Sequence, residues 1–142
     1  MESNHANRMK YVDDGLGVIY MGKGILTGEE IIQADQKQLS NLDMLKKKKY
    51  FLGDFSTVDE AKIITEEIIM IAELDEKMES IAGTNLVVIV ASKNILFGLS
   101  RMWETFVDKL DWQTYVCRTR VEAEAWLRTK AKAVFDIEIT MK

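Results

Sequence analysis

Residues 85–127 read NLVVIVASKNILFGLSRMWETFVDKLDWQTYVCRTRVEAEAWL, and this stretch decides the fold class. Leu86, Val87, Val88, Ile89, Val90 and Ala91 form an unbroken apolar run. It is too short for a globular helix and rich in β-branched residues, which predicts a strand covered on both faces. A helix follows over about Ile95 to Leu110, then a strand over Tyr115 to Arg118. A last helix opens on Thr119 and Glu122, a capping box in which each side chain satisfies the other residue's backbone N–H. Strands alternating with helices imply a parallel or mixed sheet, because the intervening helix is the crossover that returns the chain. The expected fold is therefore α/β, a central mixed sheet packed with about four helices, with function at the loops around the strand ends.

Projected at 100° per residue, the 95–110 helix buries Leu96, Leu99, Met102, Trp103, Phe106, Val107 and Leu110. Phe97 falls on the polar side with Arg101, Glu104 and Asp108. An aromatic there, with an Arg at i+4, is either a contact point for a partner or a surface ring covered by a neighbouring loop. In the last helix Ala123, Trp126 and Leu127 face inward, and Glu124 with Arg128 makes an i,i+4 pair.

Upstream, Met9 to Val12 and Leu16 to Met21 read as two strands of a hairpin turning through Asp13-Asp14-Gly15, so the sheet starts antiparallel. Gly22 and Gly24 end the second strand. Thr27 and Glu30 form another capping box, with Leu26 and Ile31 at the hydrophobic-staple positions. The helix from Gly28 to about Leu42 carries Ile31, Ile32, Ala34, Leu39 and Leu42 on one arc. Asp35 lies inside that arc, either as a functional acid or as a carboxylate bonded to a nearby backbone donor. Lys46 to Lys49 read as a solvated basic turn before a strand over Tyr50 to Phe55. A loop spanning Asp54, Ser56, Thr57 and onward leads to a helix starting near Thr65, whose buried side is Ile68, Ile71, Leu74, Met78, Ile81 and Ala82. Gly83 stops it.

At the C-terminal end the period changes. Phe135, Ile137, Ile139 and Met141 alternate with Asp136, Glu138, Thr140 and Lys142, the pattern of a strand with one buried face. A terminal strand needs a sheet edge, its own or another subunit's, which motivates the expectation of a homodimer. The chain thus divides into a flexible arm over 1–8 and a single domain over 9–142, with 134–141 as an extra terminal strand.

The 142 residues suit one domain with a self-sufficient core. A net charge of −4 with 30% charged residues argues against nucleic acid as a partner, which would require a basic excess. The lone Cys117 cannot form an internal disulfide and fits a reducing, cytoplasmic compartment. No apolar run approaches the ~20 residues of a membrane span, and Met1 to Asn7 lack the apolar core of a signal peptide. His5, the one histidine, sits in the arm. A Ser-His-Asp or Cys-His arrangement in the domain is therefore not expected, nor a zinc site of the usual ligands, nor a cofactor. Gly15-Leu16-Gly17 leads into a strand, and Gly22-Lys23-Gly24 lacks the rest of a phosphate-loop motif, so these are turn residues. Asp35, Asp54, Asp59 and Glu104 offer carboxylates, but their spacing singles out no acid/base pair.

Four motifs in order, Gly22-Lys23-Gly24-Ile25-Leu26-Thr27-Gly28-Glu29-Glu30, Tyr50-Phe51-Leu52-Gly53-Asp54-Phe55-Ser56, Phe97-Gly98-Leu99-Ser100-Arg101-Met102-Trp103-Glu104 and Glu122-Ala123-Glu124-Ala125-Trp126-Leu127, resemble the SpoIIAA-like branch of the STAS superfamily. The resemblance covers roughly Lys10 to Lys130. It implies a mixed sheet packed with helices, no enzymatic activity, and work done by binding. In anti-sigma-factor antagonists of that superfamily an Asp-Ser-Ser-Gly-like motif after the third strand presents a phosphorylatable Ser at a helix N-terminus. Here Asp54, Phe55, Ser56 and Val58 look like its lead-in, the Ser-Ser-Gly is missing, and Thr65 is the nearest hydroxyl at a helix start, as a phosphate acceptor or a plain N-cap. The leading expectation is a protein-interaction module whose binding surface holds Asp54, Ser56, Thr57, Thr65, Phe97, Arg101 and Glu104. The second is a carrier of a small apolar ligand such as a lipid, with the eight methionines lining an adaptable pocket.

Overall fold

A computed structural model gives the fold, and residues 8–142 are the described part of the chain. His5 and all of the arm but Arg8 lie outside it. Five strands form one sheet in the order β1-β2-β3-β4-β5: β1 (Met9–Val12), β2 (Gly17–Thr27), β3 (Tyr50–Lys62), β4 (Asn85–Val90) and β5 (Trp112–Cys117). β1 runs antiparallel to β2 and all other neighbours are parallel. Among the described residues five helices accompany it, α1 (Gly28–Leu39), α2 (Leu42–Lys47), α3 (Thr65–Ala82), α4 (Asn94–Val107) and α5 (Arg120–Phe135). Each parallel step is to the adjacent strand, and crossovers of one hand place α1, α3 and α4 on the same face. α5 follows the last strand and packs on the other.

Strand periodicity sorts the two cores. Val18, Tyr20, Phe55, Val87 and Ile89 face the α1–α3–α4 layer, whereas Ile19, Tyr50, Leu52, Leu86, Val88 and Val90 face α5, Leu127 and Ala123. All six residues of β4 are buried, as its apolar run requires of a central strand.

Both long strands outrun the expected ends. β2 continues to Thr27 and β3 to Lys62, so most of the segment expected as a loop from Asp54 to Thr65 is paired strand. Gly22 and Gly24 are not terminators. They accompany two register shifts, between Met21 and Lys23 and between Gly24 and Ile25, through which the ribbon keeps pairing. A Cβ at Gly22 would stand 2.7 Å from the Phe55 ring, and Gly24 has φ +66°. β4 pairs β3 only as far as Asp54 and β1 pairs β2 only as far as Tyr20, so the far half of the ribbon projects as two strands.

The Thr27–Glu30 box caps α1, with Glu30 N–H to Thr27 Oγ1 at 3.2 Å and Thr27 N–H to Glu30 Oε1 at 3.3 Å; Arg8 adds an ion pair to Glu30 at 2.6 Å. α1 stops at Leu39, and Leu42 is an exposed first residue of α2 rather than part of the α1 arc. In α4 the buried stripe is Leu96, Ser100, Trp103 and Val107, and Met102 and Phe106 are exposed. α4 packs chiefly on α3 and β5, at the end of its layer, and the outer part of its apolar arc is left exposed. In α3 Ile68, Ile71 and Met78 are buried, Leu74, Ile81 and Ala82 are half-buried, and the fourth buried residue is Asp75.

The terminal alternation is real but forms no strand. α5 runs through Phe135, and residues 136–142 then follow an irregular path with Ile139 and Met141 buried in the α5-side core of the same chain. Asp13 holds them: its carboxylate accepts from Thr140 N–H (3.0 Å), Thr140 Oγ1 (2.6 Å), Met141 N–H (2.9 Å) and Tyr50 Oη (2.8 Å), and its N–H donates to Lys142 O at 2.7 Å. A tail docked this way needs no second subunit, which removes the ground for expecting a dimer through it.

Candidate functional site

Under the α1–α3–α4 layer lies a cavity of about 80 Å³. Its walls are mostly apolar, with Ile31, Phe55, Ile68, Ile71, Leu96 and Leu99 among them, but one part is polar and charged. Asp35 and Gln38, one turn apart on α1, meet Asp75 of α3, Trp103 of α4, Trp112 at the start of β5, and Lys48, where the chain leaves α2 for β3. Asp35, Gln38, Lys48 and Asp75 are each at most 5% exposed. Charged side chains are almost never buried this far without partners.

Trp103 Nε1 donates to Asp75 Oδ2 at 2.7 Å, fastening α4 to α3, and Lys48 Nζ donates to Gln38 Oε1 at 2.8 Å, fastening the root of β3 to α1. Lys48 is aimed inward because its extended backbone, at ψ 134°, ends α2, and Asn85 Nδ2 holds its carbonyl at 3.2 Å. The ammonium also lies 5.8 Å from the Phe51 ring centre and 6.0 Å from that of Trp112.

Burial raises the Asp35 carboxyl well above the usual range, and the neighbouring Asp75 charge and their hydrogen bond push the same way. Burial also raises Asp75, against the opposing pull of the bonds from Asp35 and Trp103 and of the Lys48 charge. Burial depresses Lys48 to about 8, partly offset by the two carboxylates. The consistent assignment is one proton on Asp35, donated to Asp75⁻, with Lys48⁺ balancing the remaining charge. Asp35 is thus bonded to another carboxyl rather than to a backbone donor. Lys48, expected in a solvated turn, is instead 2% exposed.

These shifts give a pH signature. A folded-state pKa above the unfolded one means the native state binds the extra proton, so the Asp35 contribution is full below about pH 4 and is lost as pH rises through the raised value. Asp35→Asn keeps a neutral donor and cannot titrate. The unfolding free energy of the variant should therefore gain on the native chain from pH 5 to pH 7, by at most ~1.4 kcal/mol per pH unit. Urea melts that keep a constant difference across that window would refute the buried proton.

The residues expected from the sequence lie elsewhere. Asp54, 4% exposed, accepts from Ser56 N–H (3.0 Å) and Ser56 Oγ (2.6 Å) and pairs with Arg120 at 3.0 Å. Burial works to raise its carboxyl, but the Ser56 bonds and Arg120 outweigh that and hold it below the usual range. Thr57 Oγ1 donates to Gly22 O at 3.0 Å. Phe97 is half-buried under the Arg118 guanidinium, 3.9 Å from the ring centre, and Arg118 also donates to Ser92 O and Asn94 Oδ1. Asp54, Ser56 and Phe97 therefore share one region around the C-terminal strand ends, bridged by Ser92 Oγ to Ser56 O at 3.5 Å. Arg101 and Glu104 pair with each other at 3.1 Å, and Glu104 accepts from Thr114 at 2.7 Å, so neither pairs with Phe97. Thr65 is the exposed first residue of α3 and not its cap; Ile64 is the N-cap, and its N–H is taken by Glu67 Oε1 at 3.0 Å.

Cys117 is buried, its thiol pushed up to about 11 by that burial, which marks it as unreactive. Among the described residues no three His, Cys, Asp or Glu side chains converge as metal ligands, and no helix is long and apolar enough to cross a membrane. Compared with known protein families, with curated proteins and with solved structures, the chain matches none.

Proposed function

We propose that this protein is a non-enzymatic binding module, of the STAS-like kind its motifs resemble, and that it binds a small molecule in the cavity under α1, α3 and α4. The observation that carries the reading is a pair of buried polar atoms with no partner on residues that line that cavity, Gln38 Nε2 and Trp112 Nε1. An unpaired buried polar atom costs about 1–3 kcal/mol, and a cavity walled by hydrocarbon with a few convergent polar groups is the usual build of a ligand site. The volume narrows the carrier idea from a whole lipid to a compact molecule, because benzene occupies an apolar cavity of about 150 Å³. Its setting is the cytoplasm, where a lone buried thiol is at home.

A protein partner remains a second reading, favoured by the projecting β2–β3 ribbon and by Ile25 and Ile64, 49% and 60% exposed, on and just beyond it. Native mass spectrometry of the protein isolated under mild conditions separates the two. A retained small mass that is absent from Ala34→Leu, which fills the cavity, is the expected result. A bound polypeptide that survives Ala34→Leu would overturn the small-molecule reading in favour of the partner.

A further inference from the structure

We infer that the cavity takes a short-chain carboxylate, its anionic oxygens received by Lys48, Gln38 and Trp112 and its hydrocarbon end laid against Ile68 and Leu96. This rests on the small-molecule reading and deepens it. Once the cluster has bonded internally, donors are left over. Asp75 accepts from Trp103, and from Asp35 through the shared proton, while Gln38 Oε1 accepts from Lys48. The acceptors are thus largely occupied by the cluster's own donors.

The remainder is almost all donors. Gln38 Nε2 and Trp112 Nε1 have no partner, and Lys48 has spent one of its three N–H bonds. Gln38 and Lys48 are 2% exposed, so bulk water does not reach them. Two unsatisfied N–H groups and the two N–H bonds Lys48 has left call for an acceptor-rich guest, and a carboxylate offers about four lone-pair sites to such a set while sharing the Lys48 charge with Asp75. A primary amine would face the Lys48 charge. A phosphate or sulfate would bring no apolar part to walls that are mostly hydrocarbon. At benzene's filling, six heavy atoms in about 150 Å³, a space of about 80 Å³ holds about three heavy atoms, so the four of acetate and the five of propionate need a tighter fit.

The test is calorimetric titration of the full chain at pH 7 and fixed ionic strength with sodium propionate, propionamide and propylamine. Propionate should bind saturably, with propionamide at least about tenfold weaker and propylamine silent. Lys48→Met should weaken propionate by about tenfold or more. Trp112→Phe, which keeps a ring and loses only the N–H at a half-buried position, should weaken it several-fold while the chain stays folded. Carboxyl-labelled propionate should show a ¹³C shift on binding that Trp112→Phe diminishes. Propionamide binding as tightly as propionate would overturn the carboxylate and leave the small-molecule reading standing. If all three compounds are silent while the native chain retains a small mass that Ala34→Leu loses, the carboxylate alone falls; if that mass is absent as well, the donors serve ordered water and both readings fall.

Discussion

Asp75→Ala is expected to lower the unfolding free energy by about 3–5 kcal/mol, a large share of what holds a domain of this size together. The carboxylate answers three groups at once. Trp103 Nε1, at 2.7 Å, would be left without an acceptor, the proton on Asp35 would lose its destination, and Lys48 would keep Asp35 as its one carboxyl neighbour inside a closed layer. Removing one member of a buried charged set costs much more than the set contributes, because the survivors stay desolvated and unpaired. The companion variant is the triple replacement Asp35→Leu, Lys48→Met, Asp75→Leu, which removes the three charged members and leaves Trp103 Nε1 and Gln38 unpaired. It should recover part of the loss, and it should no longer bind propionate. Urea melts of the three proteins decide the matter. A loss below about 1 kcal/mol for Asp75→Ala would mean that water already reaches the cluster and that its members are solvated individually.

That contrast bears on function. Buried ion pairs are weak contributors to stability, so the polar set is poorly explained by stability alone, and its unpaired donors point toward a guest. The region around Asp54 differs in this respect. There Ser56 and Arg120 satisfy the carboxylate, and Arg118 covers Phe97, so the groups that looked most exposed to a partner already answer one another.

The sheet was legible wherever burial is one-sided or complete. β4 is apolar on both faces because both faces are covered, and the two capping boxes are local chemistry that depends on nothing distant. The β2–β3 overhang was not legible, because glycines that accommodate a bulge look the same as glycines that end a strand. Three of the four buried polar side chains of the cluster could be read. Asp35 interrupts the α1 arc, and Asp75 interrupts α3 by the same rule, four residues after Ile71 and three before Met78. Gln38 follows Ala34 by four. Lys48 could not be read, since within Lys46-Lys47-Lys48-Lys49 nothing local distinguishes the one residue that the end of α2 turns inward.

Deleting residues 136–142 should leave the molecular mass in light scattering reduced by the seven residues alone and lower stability by about 2–3 kcal/mol. The period-two pattern of this tail suits an edge strand, yet Ile139 and Met141, 6% and 7% exposed, are buried by their own chain. Covering two such side chains is worth about 3–6 kcal/mol, and the freedom regained by an unpinned segment returns part of that to the shortened protein. The hairpin loses as well. Asp13 and Asp14 both sit at positive φ, 52° and 55°, where non-glycine residues rarely rest, and the tail's bonds to the Asp13 carboxylate and N–H hold the turn there. Asp13→Ala should therefore reproduce much of the loss with the tail present, because it removes the tail's anchor and the acceptor for the buried Tyr50 hydroxyl. A halving of the mass on deletion would show instead that the tail crosses between chains in solution, and the docking within one chain would have to be abandoned.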